Sequence, residues 1–142
     1  MPGLRFFYFD SIGVPSLEDM AKEYGTSEEW QRVKTIQWGH RLKEAEGEKI
    51  ILDAQTRPTF IEEACREVGI SDYKIVLFDC SDEVRRERLT RRGQPELASD
   101  AMMHWAKFLR EKCTGGGCIV IDNSTLSLEE SVSALLEVIK DR

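Results

Sequence analysis

Four short apolar runs mark out the chain, each followed at once by an aspartate: Arg5-Phe6-Phe7-Tyr8-Phe9-Asp10, Lys49-Ile50-Ile51-Leu52-Asp53-Ala54, Lys74-Ile75-Val76-Leu77-Phe78-Asp79-Cys80 and Cys118-Ile119-Val120-Ile121-Asp122-Asn123. Runs that are apolar almost without interruption predict strands buried on both faces, as in a parallel sheet; a sheet with one wet face would alternate polar and apolar positions. Helical spacing fills the intervals. Ile61, Ala64, Cys65 and Val68 stand at i, i+3, i+4 and i+7, with Thr59 as the expected cap and Gly69 as the stop. Met102, Trp105, Ala106 and Leu109 repeat the pattern after Ser99, and Val132, Leu135, Leu136 and Ile139 do so after Ser127, where Ser127 and Glu130 form a capping box. The stretch from Ser16 to Ala45 predicts two helices broken near Gly25 and Thr26, and Gly115-Gly116-Gly117 reads as a helix-to-strand connection.

Strands alternating with helices predict an α/β fold: right-handed crossovers and a mainly parallel sheet covered on both faces. Ligands in such sheets bind beyond the carboxyl ends of the strands, where Asp10, Asp53, Asp79 and Asp122 fall.

Composition narrows the function classes. A chain of 142 residues, 41% hydrophobic, suits one domain, and the formal net charge of -6 argues against coating nucleic acid or anionic membrane. Neither a membrane-spanning run nor the layout of a secretory signal is visible, so a cytoplasmic location is expected. Cys65, Cys80, Cys113 and Cys118 form no Cys-x-x-Cys pair and read as reduced, mostly buried thiols. His40 and His104 lack ligand-like neighbours, and Ser11 and Ser16 read as turn and cap residues.

On this acidic background, Arg85-Arg86-Glu87-Arg88-Leu89-Thr90-Arg91-Arg92 concentrates five arginines in eight residues. Asp82 with Arg86, and Glu87 with Arg91, are i, i+4 pairs suited to a solvated face. Arg85, Arg88 and Arg92 form a stripe with no acid at helical spacing on its N-terminal side, an arrangement suited to a phosphate held bidentately. Both readings of the segment stand. Asp53 and Arg57, four residues apart at one predicted sheet edge, bring a carboxylate and a guanidinium to a site fit for a metal-phosphate ligand.

The segments Ile51 to Pro58 and Asp79 to Arg92, in this order and spacing, resemble the adenylate-kinase-like branch of the P-loop small-molecule kinases, with shikimate and gluconate kinases as similar relatives. The resemblance runs from Arg5 to Lys140 and implies a three-layer αβα P-loop NTPase-like fold forming one incomplete domain over 1–142, with 85–112 as an arginine-rich lid-like segment. It implies ATP and Mg2+ as cofactors, a small-molecule phosphate acceptor, and no nucleic-acid or membrane partner. By the same resemblance Asp53 matches the Walker B aspartate and would hold Mg2+ through water. Arg88 and Arg92 match lid arginines on the transferring phosphates; Asp10 and Arg57 match acceptor contacts; Asn123 and Ser124 lie in the loop that packs on adenine and, with Arg88, would bind the nucleotide. Trp30 and Trp38 fall in the segment that covers the acceptor and suit either that pocket or the core, whereas Trp105 suits packing.

The departure is equally specific. Gly-x-x-x-x-Gly-Lys-[Ser/Thr] is absent, and Gly115-Gly116-Gly117 precedes a strand and has no lysine. The missing strand, loop and helix amount to about 30 residues and include the central strand of the family's sheet. Two readings follow: a kinase portion whose start lies upstream of Met1, or a complete chain that has lost its ATP-gripping element and persists as a phosphate-, nucleotide- or partner-binding remnant. Weak or no phosphotransfer is expected from these residues alone, because positioning and electrostatics supply nearly all of that catalysis. The runs Lys49–Asp53 and Lys74–Asp79 are expected to pair directly into a four-stranded sheet, or to recruit a strand from a second copy in a homodimer.

Overall fold

A computed structural model describes residues 4–45 and 47–140. The chain divides into two compact units, Met1–Tyr73 and Lys74–Arg142. Both are mixed α/β, and the described residues contain six α-helices and two small sheets of short parallel strands.

The first unit runs β1 (Leu4–Tyr8), a 3-10 turn (Phe9–Ile12), α1 (Leu17–Tyr24), α2 (Ser27–Glu44), β2 (Lys49–Asp53) and α3 (Pro58–Val68). β1 and β2 pair in parallel from Leu4 opposite Lys49 to Tyr8 opposite Asp53. The helices begin and end where local chemistry dictates. Ser16 Oγ accepts from Asp19 N, Thr26 Oγ1 accepts from Glu29 N, and Gly25 takes φ +90° between the two helices, as the expected break requires. α3 differs at its start: Arg57, not Thr59, is the N-cap, because Pro58 occupies the first helical turn, where its missing N–H costs nothing.

The core of this unit is aromatic. Phe9, Met20, Trp30 and Trp38 are buried together, with Phe7, Ile12, Tyr24, Leu52 and Ala54 packed against them. Trp38 meets Phe7 edge-on at 5.8 Å, and its indole N–H donates to the Phe9 carbonyl at 3.1 Å, so the ring is buried without leaving a donor unpaired. α2 passes close to α3 at Gly39, where a Cβ would stand 3.3 Å from that of Ala64.

The second unit runs β3 (Val76–Asp79), α4 (Asp82–Arg91), a 3-10 turn (Pro95–Leu97), α5 (Asp100–Gly116), β4 (Ile119–Asp122) and α6 (Leu128–Lys140). β3 and β4 are parallel, with Asp79 opposite Asp122. Ser81 and Ser99 cap α4 and α5, and Ser127 and Glu130 exchange the two hydrogen bonds of the expected capping box. α5 buries Met103, Ala106, Leu109 and Cys113, so Ala106 and Leu109 of the expected stripe are core, while Met103 is buried in place of Met102 and Trp105 lies at the edge. Trp105 is half-buried and stacks on Phe108 at 5.7 Å.

Two expectations about the sheet require correction. β2 pairs with β1 and β3 with β4, each within its own unit, so the described strands form two small parallel sheets where one four-stranded sheet was expected. Nor are the strands buried on both faces: Phe6 and Tyr8 are 53% and 58% exposed, and Phe78 and Val120 are also exposed. Phe7 of β1 and Phe9 just beyond it pack and alternate with the exposed Phe6 and Tyr8, so one face of the strand meets the aromatic core and the other stays open.

Candidate functional site

Each unit gathers polar side chains at the carboxyl ends of its strands. In the first unit, β2 ends at Asp53, an exposed carboxylate with no hydrogen bond or ion pair among the described residues. Gln31 of α2 clamps the loop that follows. Its Oε1 accepts from Arg57 N at 3.2 Å and from Arg57 Nη1 at 2.7 Å, and its Nε2 donates to the Gln55 carbonyl at 3.4 Å. Beneath the loop, the hydroxyls of Thr35 and Thr56 meet at 2.7 Å, both buried. Arg57 also pairs with Glu28 at 3.3 Å and lies over the Phe60 ring. The guanidinium predicted to face an acceptor is thus directed at α2.

Asp10, expected at the end of the first strand, lies one turn beyond it in the 3-10 segment, where it is exposed and its carbonyl accepts from Gly13 N. Trp38 is 2% exposed with its donor occupied, so contact with an acceptor would require the core to open. Asp53 offers one carboxylate, and no group of three metal-ligating side chains occurs among the described residues. The serine or threonine of a P-loop, which would complete the Mg2+ coordination, is also absent from the sequence. These residues alone do not make a Mg2+ site.

The second unit is denser. Asp79, 9% exposed, accepts from Arg85 Nη2 at 2.7 Å and from Nε and Nη2 of Arg110, so two guanidiniums close on one carboxylate. Burial works against its ionisation, but the Arg110 and Arg85 contacts outweigh that and hold the carboxyl below the usual aspartate range. Asp79 raises the Arg110 pKa in return. Arg85 also reaches Asp82 at 3.1 Å. This corrects two expectations: Asp82 pairs with Arg85 rather than Arg86, and Arg85 does find acids, supplied by the end of β3 and the first turn of α4. Arg86 instead approaches Asp100 at 3.9 Å, while the Glu87–Arg91 pair forms as its spacing predicts.

Arg88 leaves the acidic set. It donates to Asn123, from Nη1 to Oδ1 at 2.8 Å and from Nη2 to the backbone carbonyl at 2.7 Å. Ser124 ties the loop after β4 to the one after β3: its Oγ accepts from Ser81 N at 2.8 Å and donates to Asp122 at 2.6 Å, lowering the Asp122 pKa. Arg88, Asn123 and Ser124 therefore come together at one end of the β3–β4 pair. Arg92, the last residue of the stripe, is exposed at the C-terminus of α4 with no side-chain partner among the described residues. It can meet a solute phosphate without breaking a contact, and at that helix end its charge is also favourable in the absence of any ligand.

Sequence reading missed Arg110, which holds Asp79 from 31 residues away. A faint signal exists: Arg110 lies four residues after Ala106 and seven after Met103, a guanidinium bordering the buried stripe of α5. Comparison of the chain with protein-family models, with curated proteins and with solved structures finds no match.

Proposed function

We propose that this is a kinase-like protein of the adenylate-kinase-like P-loop type that takes nucleotide phosphates at the Arg88–Asn123 corner and Arg92. The observation that carries the reading is the pair of bonds from Arg88 to Asn123. They seat a guanidinium of the arginine-rich segment on the loop after β4, where nucleotide contacts are expected by resemblance. Asn123 contributes only acceptors there, so the Arg88 charge meets no carboxylate in these bonds and is still available to an anion. The parallel ladders β1–β2 and β3–β4 and the strand-end residues Asp53 and Asp79 fit the same type of fold. The accompanying acceptor in this reading is a small molecule, and a cytoplasmic location belongs to it as well. No described helix is long and apolar enough to cross a membrane.

Phosphotransfer is a separate matter. Without Gly-x-x-x-x-Gly-Lys-[Ser/Thr] in the 142 residues, the chain binds phosphate more readily than it transfers it, and a non-catalytic nucleotide-binding role is the second reading. Calorimetric titration with ATP, with and without Mg2+, tests both. Expected are binding that weakens as salt rises, a loss of about tenfold in Arg92→Ala, and ATP consumption at background with sugar, acid and nucleoside monophosphate acceptors. No binding at low salt, or binding indifferent to Arg92, overturns the phosphate site; turnover at ordinary kinase rates overturns the inactivity of these residues.

A further inference from the structure

We propose that Cys113 and Cys118 are an oxidisable dithiol, closing to an intramolecular disulfide across the end of α5 on reaction with a small-molecule disulfide such as oxidised glutathione. α5 ends in a Schellman turn. Gly117 takes φ +80°, and Cys118 N donates to the Cys113 carbonyl at 3.1 Å, the bond from the sixth residue to the first that reverses the chain. That turn brings together the side chains of its first and sixth residues, which are ordinarily apolar. Two other helices have such an ending: Ile70 N donates to the Cys65 carbonyl after α3 with Gly69 at φ +80°, and Gln94 N to the Leu89 carbonyl after α4 with Gly93 at φ +78°. Only at the end of α5, among these three, are both positions cysteine.

The two thiols differ in access. Cys113 is 1% exposed and Cys118 is half-buried, so Cys118 meets the oxidant first. Burial, with the Cys118 thiol beside it, pushes the Cys113 thiol up to about 12, which makes it the slower, resolving group. In the first exchange the Cys118 thiolate attacks one sulfur of glutathione disulfide. That S–S bond breaks, a mixed disulfide forms, and one glutathione leaves as thiolate. Cys113, giving up its proton to that thiolate, then attacks the Cys118 sulfur and expels the second glutathione. Two protein thiols are oxidised and one glutathione disulfide is reduced to two thiols. The bond staples the last turn of α5, three residues beyond Arg110, to the start of β4.

The test uses the full chain equilibrated in mixtures of reduced and oxidised glutathione, quenched with acid, then unfolded in urea so that every free thiol, buried or not, is alkylated with N-ethylmaleimide, and digested with trypsin. Residues 113–140 contain no lysine or arginine before Lys140, so both cysteines appear in one peptide. The expected result is a native chain in which this peptide takes up no alkyl group while the Cys65 and Cys80 peptides are alkylated, with about tenfold less closure at the same glutathione ratio in concentrated urea. Cys113→Ser should instead accumulate the Cys118–glutathione mixed disulfide. Alkylation of both thiols in the native chain, equal closure in urea, or a mixed disulfide in the unsubstituted chain at the level of Cys113→Ser overturns the proposal. The comparison of native chain with urea needs no variant to fold.

Discussion

Arg88 directs both terminal nitrogens at Asn123, reaching its side-chain oxygen at 2.8 Å and its backbone carbonyl at 2.7 Å, across 35 residues of sequence. The planar fork of the guanidinium matches the two acceptors with one N–H donor group each, a geometry that a lysine ammonium does not present. The contact docks α4 against the loop after β4 and positions the arginine on which the functional reading rests.

Arg88→Lys and Arg88→Ala should both lower the unfolding free energy in urea, the alanine variant by about 1.5–3 kcal/mol, the range for hydrogen bonds to a charged group. Asn123→Ala should cost less, because the backbone acceptor survives. The double variant should be less destabilised than the sum of the two, with a coupling of about 0.5–3 kcal/mol. Full additivity would show that the pair contributes nothing as a pair.

Asp79 predicts an acid limb in the stability profile. Its folded carboxyl is held below the ordinary aspartate value, so its contribution is fully present above an unfolded pKa of about 3.9 and is lost as pH falls through the folded value. Asp79→Asn should remove about 3 kcal/mol at neutral pH, towards the low end for a broken buried ion pair because Arg110 is partly exposed. The difference between variant and parent should shrink below about pH 4. Glu63 and Glu130, whose pKa values are also lowered, are common to both chains and leave that difference unaffected, whereas Asp122, which the Asp79 charge pushes up, is lowered further in the variant. A difference independent of pH between 7 and 3 would show that the carboxylate charge is not what holds the two arginines.

The glycine triplet should split in sign. Gly115 lies within α5 with open space where a Cβ would go, so Gly115→Ala should stabilise by up to about 1 kcal/mol. Gly117 has equal space but φ +80°, so Gly117→Ala should destabilise by about 1–2 kcal/mol. Thermal unfolding of the two variants decides it; a shift of both in one direction would refute the backbone argument.

What could be read from sequence was local. The order of strands and helices, the break near Gly25 and Thr26, Ser16 and Ser127 as caps, the helix start after Ser99, and Gly69 as a stop all rest on interactions spanning a few residues, so the chain states them where they act. Even the errors were small locally: Pro58 displaced the cap from Thr59 to Arg57, and on α5 Met103 is buried in place of Met102. The candidate site was legible as residue types at strand ends but not as partners. Asp82 with Arg86 was an acceptable helical pair until Asp79 drew Arg85 inward, and nothing near Asp79 in sequence pointed to Arg110.

The sequence by itself determined which segments become strand or helix, and that aspartates and arginines gather where parallel strands end. Tertiary structure alone decided that β1 pairs with β2 and β3 with β4, that Phe6 and Tyr8 keep an open face, that Trp38 is core, and that Arg88 meets Asn123. The reason is one of range. Hydrophobic period and capping depend on neighbours a few positions away, whereas the choice of partner for a guanidinium or a strand edge depends on which distant groups packing brings within about 3 Å, and burial then makes an unmatched group costly.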